Sequence, residues 1–186
     1  MLFILECSRN VTVLHKTWVN DFYKAKLKVR KNTINGKTLG LIGCGNIGSR
    51  VAKRALGFEM NVMAYDPYKP ACDFPEGVEV VRDLDRIFKE CDYVSLHCPN
   101  TPVTKNMVNK ERLAMMKPTA FLINTARGGC VDETALYEAC RDGIIAGAGL
   151  DAIQKEPVDP ANPLLTLDNV IIYPHIGGNT MEAAHR

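Results

Sequence analysis

Little in the composition commits this chain to a class. The net charge is only +2 over 186 residues, too small to argue for nucleic acid or an anionic membrane surface. Basic residues do crowd the stretch from Lys24 to Lys37, but without a run of aromatics. They read as a solvated helix face and loop. The cysteines, at positions 7, 44, 72, 91, 98, 130 and 140, form no CxxC pair and no Cys/His group at zinc spacing, so no metal site is expected. Several lie in apolar runs, where a free thiol behaves as a small hydrophobe, and a reduced, cytoplasmic setting is expected. No apolar stretch is long enough to span a bilayer. The opening MLFILE has no basic flank and meets Glu6 at once, which does not make a signal peptide. Internal repeats and low-complexity segments are also missing.

What is present is the makeup of one soluble globular domain, 46% hydrophobic and 24% charged. Leu14, Trp18 and Phe22 recur at helical spacing, in a helix expected to end before the polar RKNTINGK. After Gly36 the pattern becomes strand, turn, helix, repeated. TLGLIG, NVMAYD, VEVV, YVSLHC, AFLINT, IAGAGLD and VIIYPHI read as strands. NIGSRVAKRALGF, LDRIFKEC and DETALYEACRDG read as helices, the second capped by Asp83 and the third stopped by Gly143. Strands that are almost wholly apolar and alternate with helices indicate a parallel sheet covered on both faces, a doubly wound α/β domain. Residues 1–33 form a helical segment before a core spanning residues 34–178. Asn179 and Glu182 have capping-box spacing, so residues 179–186 read as the start of a truncated helix. Both ends read as those of one domain cut from a longer protein.

The first strand runs into Gly43-Cys44-Gly45-Asn46-Ile47-Gly48 and the second ends at Asp66. In a strand–turn–helix context each part has a physical reason. Gly43 turns the chain, Gly45 lets the backbone approach a pyrophosphate, and Gly48 lets helix and strand pack closely. The helix N-terminus offers free N–H groups to phosphates. A carboxylate at Asp66 accepts from ribose hydroxyls and repels a 2′-phosphate, which favours NAD over NADP. A glycine-rich turn with no ligand is the plainer reading, and the combined context argues against it. Lys69 is expected to point to solvent. These features make the fold Rossmann-type.

Polar residues also end the later strands, on the edge where open parallel sheets bind ligands. They are His97-Cys98-Pro99, then Thr125 and Arg127, then Asp151, then His175, with Glu156 in the loop IQKEPVDP. Taken singly each has a bland reading. His175 could be a satisfied core histidine, Glu156 a solvated turn residue, and Arg127 part of a loop closing over the next helix. Those readings would have to hold at three strand exits at once.

Five stretches, GCGNIGSRVA, HCPNTPVT, NTARGGCVDETAL, GLDAIQKEP and PHIGGNT, together resemble the D-isomer-specific 2-hydroxyacid dehydrogenases, in family order from about Asn10 onward. The resemblance covers only that family's nucleotide-binding domain and implies that the substrate domain lies outside this chain. It implies a catalytic triad of Arg127, Glu156 and His175. It implies that Asn46 and Ile47 bind the pyrophosphate, and that Asp151 binds the nicotinamide carboxamide. Cys98, Thr125 and Ala126 are then expected beside the nicotinamide, with Pro99, Thr104, Arg127, His175, Gly177 and Gly178 completing the cofactor set. The chemistry agrees. Arginine's planar fork orients a carboxylate, and histidine, with an ordinary pKa of ~6.5, moves a proton in either direction. A neighbouring carboxylate fixes its tautomer. His15, His97 and His185 receive no catalytic role, His97 contributing backbone position. The expected activity is NAD-dependent oxidoreduction of a small 2-hydroxy or 2-oxo acid, in a homodimer formed through this domain. Two other readings share the motifs: an NAD(H)-responsive binding protein of the C-terminal binding protein co-repressor type, and a fragment that holds cofactor without turnover. Which 2-hydroxy acid is used stays open.

Overall fold

The computed structural model describes residues 1–27, 32–181 and 183. In chain order the elements are α1 (Leu2–Arg9), α2 (Val11–Trp18), α3 (Phe22–Leu27), β1 (Thr38–Ile42), α4 (Asn46–Gly57), β2 (Asn61–Tyr65), β3 (Val78–Val81), α5 (Leu84–Glu90), β4 (Tyr93–Leu96), α6 (Lys110–Met115), β5 (Phe121–Asn124), α7 (Glu133–Arg141), β6 (Gly147–Leu150) and β7 (Val170–Ile172). The seven strands form one sheet in the order β3-β2-β1-β4-β5-β6-β7, and every pairing is parallel.

The near-continuous apolar strands follow from burial on both faces. Leu39 and Leu41 of β1 join Val62, Ala64, Tyr93, Phe121 and Ile123 in a cluster covered by Phe3 and Ile4 of α1 and by Ala52 and Ala55 of α4. The opposite face collects Ile42, Val94, Leu96, Leu122 and Leu150 under Ile87 and Phe88 of α5, Leu113 of α6 and Leu136 of α7. The expected caps are present. Asp83 accepts from Asp85 N–H at the start of α5, Asp132 from Ala135 N–H at the start of α7, and Gly143 takes a φ of 70° after α7.

The N-terminal region departs from expectation. The Leu14, Trp18, Phe22 spacing is split between two helices, because Asp21 starts a new one by accepting from Lys24 N–H at 2.8 Å. α1 is separated from α2 by Asn10, in the left-handed region at φ 49°. α1 buries Phe3, Ile4 and Cys7, while α2 buries nothing and leaves Trp18 53% exposed. The basic stretch is only partly visible, since residues 28–31 lie outside the described residues. So does Glu182, and with it the expected capping box. The hydroxyl that accepts from Ala183 N–H belongs to Thr180, one residue after Asn179. Helix α6 was not expected. It starts at Asn109, which accepts from Arg112 N–H at 3.0 Å.

Strand order reverses between β1 and β4. The chain runs outward through β2 and β3, then returns to pair β4 with β1. A crevice opens at the carboxyl ends of two strands at such a switch point. The glycine loop leaves β1 here and His97 leaves β4 beside it, its N–H donating to the Ile42 carbonyl at 2.7 Å.

Candidate active site

The glycine loop is shaped by close approaches. Gly43 turns at a φ of 93°. A Cβ on Gly48 would lie 2.3 Å from the Gly43 carbonyl oxygen, so only glycine lets α4 begin this close to β1. Gly45 caps α4 without any side-chain hydrogen bond, and a Cβ built on it meets no heavy atom within 4 Å. Gly45, Asn46 and Ile47 are all exposed, so the start of α4 is open to solvent, as a phosphate needs.

Asp66 stands at the rim, just past β2. Its Oδ2 accepts from Cys44 N–H at 2.9 Å and its Oδ1 from Tyr68 N–H at 3.1 Å. Each oxygen retains a lone pair for a ribose hydroxyl. Lys69 does not point to solvent. Its Nζ donates to the Cys44 carbonyl at 2.7 Å and lies 3.1 Å from Ser49 Oγ, over the Phe74 ring at 5.4 Å. The cation is tied to the glycine loop itself. The residues present therefore fit a dinucleotide: an open Cβ-free approach, an uncapped helix start, and a carboxylate at the ribose position.

On the far side of the crevice, Ser95 Oγ lies 3.0 Å from His97 Nε2. Burial lowers His97 to about 4, which keeps the imidazole neutral. Cys98 is half-buried and Pro99 exposed. Thr104 closes this loop by donating from Oγ1 to the Pro99 carbonyl at 2.6 Å.

Arg127 leaves β5 through a turn organised by Asn124, only 1% exposed. The Asn124 amide donates to the Arg127 carbonyl at 3.0 Å and to the Ala152 carbonyl at 3.3 Å, and accepts from Ala126 N–H at 3.0 Å. One residue thereby fastens the loop after β5 to the loop after β6. Thr125 is exposed, Ala126 buried, and Arg127 Nη1 donates to the Ala126 carbonyl at 2.7 Å. A Cβ on Gly128 would sit 1.9 Å from the Ile153 carbonyl carbon. Asn124 is not among the site residues expected from the sequence, where its signal is an amide ending an apolar strand.

Glu156 lies beyond Ile153, whose N–H donates to Oε1 at 3.2 Å. Its Oε2 lies 2.8 Å from His175 Nδ1. His175 holds the Glu156 carboxyl below its ordinary pKa, assisted by the Ile153 N–H and the charge of Arg127. An ionised carboxylate can only accept, so Nδ1 carries the shared hydrogen. Both side chains stay accessible, at 45% exposure for His175 and 41% for Glu156.

His175 adopts a φ of 54°, a region an L-residue enters at a cost of order 1–2 kcal/mol. Asp151, 4% exposed, offsets that cost. Its Oδ1 accepts from Ile176 N–H at 2.9 Å and its Oδ2 from Gly177 N–H at 2.7 Å. Asp151 thus anchors the histidine loop, a task the sequence had not assigned it, and each oxygen keeps a lone pair for a carboxamide. Gly177 is engaged through its N–H and Gly178 is exposed. No group of metal-binding residues occurs among the described residues, and no helix there is long and apolar enough to cross a membrane.

Residues 1–177 match the family described as D-isomer specific 2-hydroxyacid dehydrogenase, NAD binding domain. The chain is 47% identical to the hydroxypyruvate reductase of Thermotoga maritima, over all of this chain and 60% of that protein. It is 46% identical to the glyoxylate reductase of Korarchaeum cryptofilum, over 82% of this chain and 46% of that one. Among solved structures, D-lactate dehydrogenase from Aquifex aeolicus complexed with NAD and lactic acid superposes with a TM-score of 0.85 at 36% identity, over 98% of this chain and 59% of the other. The chain spans 60% or less of the length of each. With the glycine loop, the switch-point crevice and five motifs in order, the chain belongs to the D-isomer-specific 2-hydroxyacid dehydrogenase family, as its NAD-binding domain.

Proposed function

We propose that this domain carries the hydride-transfer half of an NAD-dependent dehydrogenase acting on a D-2-hydroxy acid or the matching 2-oxo acid. Bound NAD supplies the hydride acceptor for oxidation, and NADH the donor for reduction. Arg127 presents its fork to the substrate carboxylate and C2 oxygen, which fixes the face from which C2 is reached. His175 takes the C2 hydroxyl proton on Nε2 during oxidation and returns it during reduction. Glu156 receives the Nδ1 hydrogen and stabilises the imidazolium formed when Nε2 is protonated. Asp66 selects the unphosphorylated ribose, and the open start of α4 receives the pyrophosphate.

The observation that carries this reading is the 2.8 Å contact between Glu156 and His175, with Arg127 held one residue from the Gly128–Ile153 approach. The binding-only alternative uses the same cofactor residues, and no separate feature among the described residues favours it. The decisive experiment is turnover by the full-length protein with NADH and a panel of 2-oxo acids: glyoxylate, hydroxypyruvate, pyruvate and the oxo acid of 3-phosphoglycerate. His175→Ala should lower turnover about 10²- to 10⁴-fold. Arg127→Ala should leave NADH affinity largely unchanged while removing most turnover. A protein that reduces none of the panel overturns the enzymatic reading.

Val11, Trp18, Val19, Phe22 and Tyr23 are all exposed on α2, α3 and the turn between them, an apolar patch of the kind that marks an interaction surface. This supports a homodimer formed through these helices. Light scattering on Trp18→Glu should then report a monomer. The seven cysteines are all free thiols, which supports a reducing, cytoplasmic setting.

A further inference from the structure

Glu156 sits in a loop whose own backbone does little to hold it. Among the described residues, no hydrogen bond reaches the backbone from Lys155 to Val158, and Gln154, Lys155, Glu156 and Pro157 are all exposed. The Glu156 carboxylate nevertheless meets His175 Nδ1 at 2.8 Å and the Ile153 N–H at 3.2 Å. A carboxylate kept to that geometry needs a loop fixed from its ends.

Both ends lead to one side chain. At the near end, Gln154 N–H donates to Glu133 Oε1, and Gln154 Nε2 donates to the Val131 carbonyl at 2.6 Å. At the far end, Asn162 Nδ2 donates to Glu133 Oε2 at 3.2 Å. Asn162 is itself fastened, since its Oδ1 accepts from Leu164 N–H at 3.0 Å and Leu164 is buried in the core. Each Glu133 oxygen thus serves a different end of the loop. A glutamine would offer one acceptor oxygen where donors arrive at two, so the arrangement calls for a carboxylate, which also makes both bonds charge-assisted.

Glu133 is the first residue of α7, directly after the cap Asp132. The chain reaches it from Arg127 through the 3-10 turn Gly128–Cys130 and Val131. Val131 and Leu136 are buried, and Asp132 N–H donates to the Val108 carbonyl at 2.9 Å. Glu133 therefore stands on a fixed element continuous with the arginine turn. An acid in the first turn of a helix also favours the helix dipole, but any carboxylate there would do so, without donors from a distant loop.

We propose that Glu133 is a positioning residue for the acid–base pair. It clamps the loop 154–162 to the start of α7, and so sets Glu156 against His175 in register with Arg127. Acting through Glu156, it bears on the chemical step rather than on cofactor affinity. That consequence rests on the catalytic assignment proposed above; the clamp itself does not.

The test uses the full-length protein with NADH and whichever 2-oxo acid of the panel it reduces. Glu133→Ala should lower kcat about ten- to a hundredfold, with NADH affinity unchanged by fluorescence titration. Glu133→Asp keeps the charge at the helix start but is a methylene too short to meet both donors, and should fall likewise. A fully active Glu133→Asp would assign the residue to the helix end and overturn the clamp. A double-mutant cycle with Glu156→Ala reads the route. If Glu133 acts through Glu156, the double variant should lose no more than about twofold beyond Glu156→Ala alone, whereas losses that multiply overturn the positioning role. Hydrogen exchange at the Ile153 and Gln154 amides should quicken in Glu133→Ala, and amides protected as in the parent overturn the clamp. If the parent reduces no 2-oxo acid, the enzymatic reading fails while exchange at these amides still decides the clamp.

Discussion

Gly128 and Ile153 lie so close that a Cβ on the glycine would stand 1.9 Å from the carbonyl carbon of the isoleucine. The contact joins the loop carrying Arg127 to the loop carrying Glu156, and backbone rather than a flexible side chain stands on the far side. Gly128→Ala therefore forces the two loops apart. The expected cost is about 1–3 kcal/mol of stability from overpacking, read from urea denaturation. Turnover of the full-length protein should fall further than that loss explains, because a displacement of about 1 Å between positioned groups costs about a hundredfold in rate. Unchanged turnover would detach this contact from the chemistry.

Asp151 supports the site from below. Its two oxygens accept from the N–H groups following His175, and Asp151→Asn turns one acceptor into a donor facing a donor. The expected loss is about 1–3 kcal/mol for the N–H left unsatisfied. Hydrogen exchange at Ile176 and Gly177 should quicken with it. Protected amides in the variant would show that something else holds His175 at its positive φ.

The pattern of apolar strands and the polar residues at their ends were readable because each depends on neighbours in sequence: apolar runs alternating with helices for the sheet, a glycine loop after β1, a polar residue after each later strand. What escaped reading depends on distant partners. Lys69 finds its acceptors some twenty residues upstream, at Cys44 and Ser49, and nothing local to it announces them. Asn124 ends an apolar run in the sequence, yet its use is set by Ala152. Helix α6 buries only Leu113, too little to give a periodic signal over six residues. The α2–α3 break arises because Asp21 caps a new helix in the middle of an apolar spacing that continues through it.

His97 predicts a pH dependence. Burial sets its native value at about 4, against 6.5 as the ordinary value. Between those two pH values the unfolded chain binds a proton that the native protein does not, so stability rises with pH across the window. The contribution is complete above pH 6.5, and is lost as pH falls toward 4. Its full size is of order 3 kcal/mol. Urea midpoints at pH 7 and pH 5 should differ in the parent protein, and His97→Gln should flatten that difference. An equally steep pair of midpoints in the variant would assign the slope to other groups.

Lys69 bears on the proposed preference for NADH over NADPH. Its ammonium is committed to the Cys44 carbonyl and Ser49 Oγ, and Cys44 N–H in turn donates to Asp66. The lysine is thus spent on the loop that presents the carboxylate, rather than free to receive a 2′-phosphate. Lys69→Met should loosen that loop and weaken NADH binding by about three- to tenfold, equivalent to about 1 kcal/mol, the net value of an ordinary hydrogen bond. The ratio of NADH to NADPH affinity should hold. Asp66→Ser should instead shift the ratio toward NADPH, since it removes the like charge that a 2′-phosphate meets. If Lys69→Met alone lost NADPH and kept NADH, the lysine would be a phosphate ligand and the discrimination by Asp66 only partial.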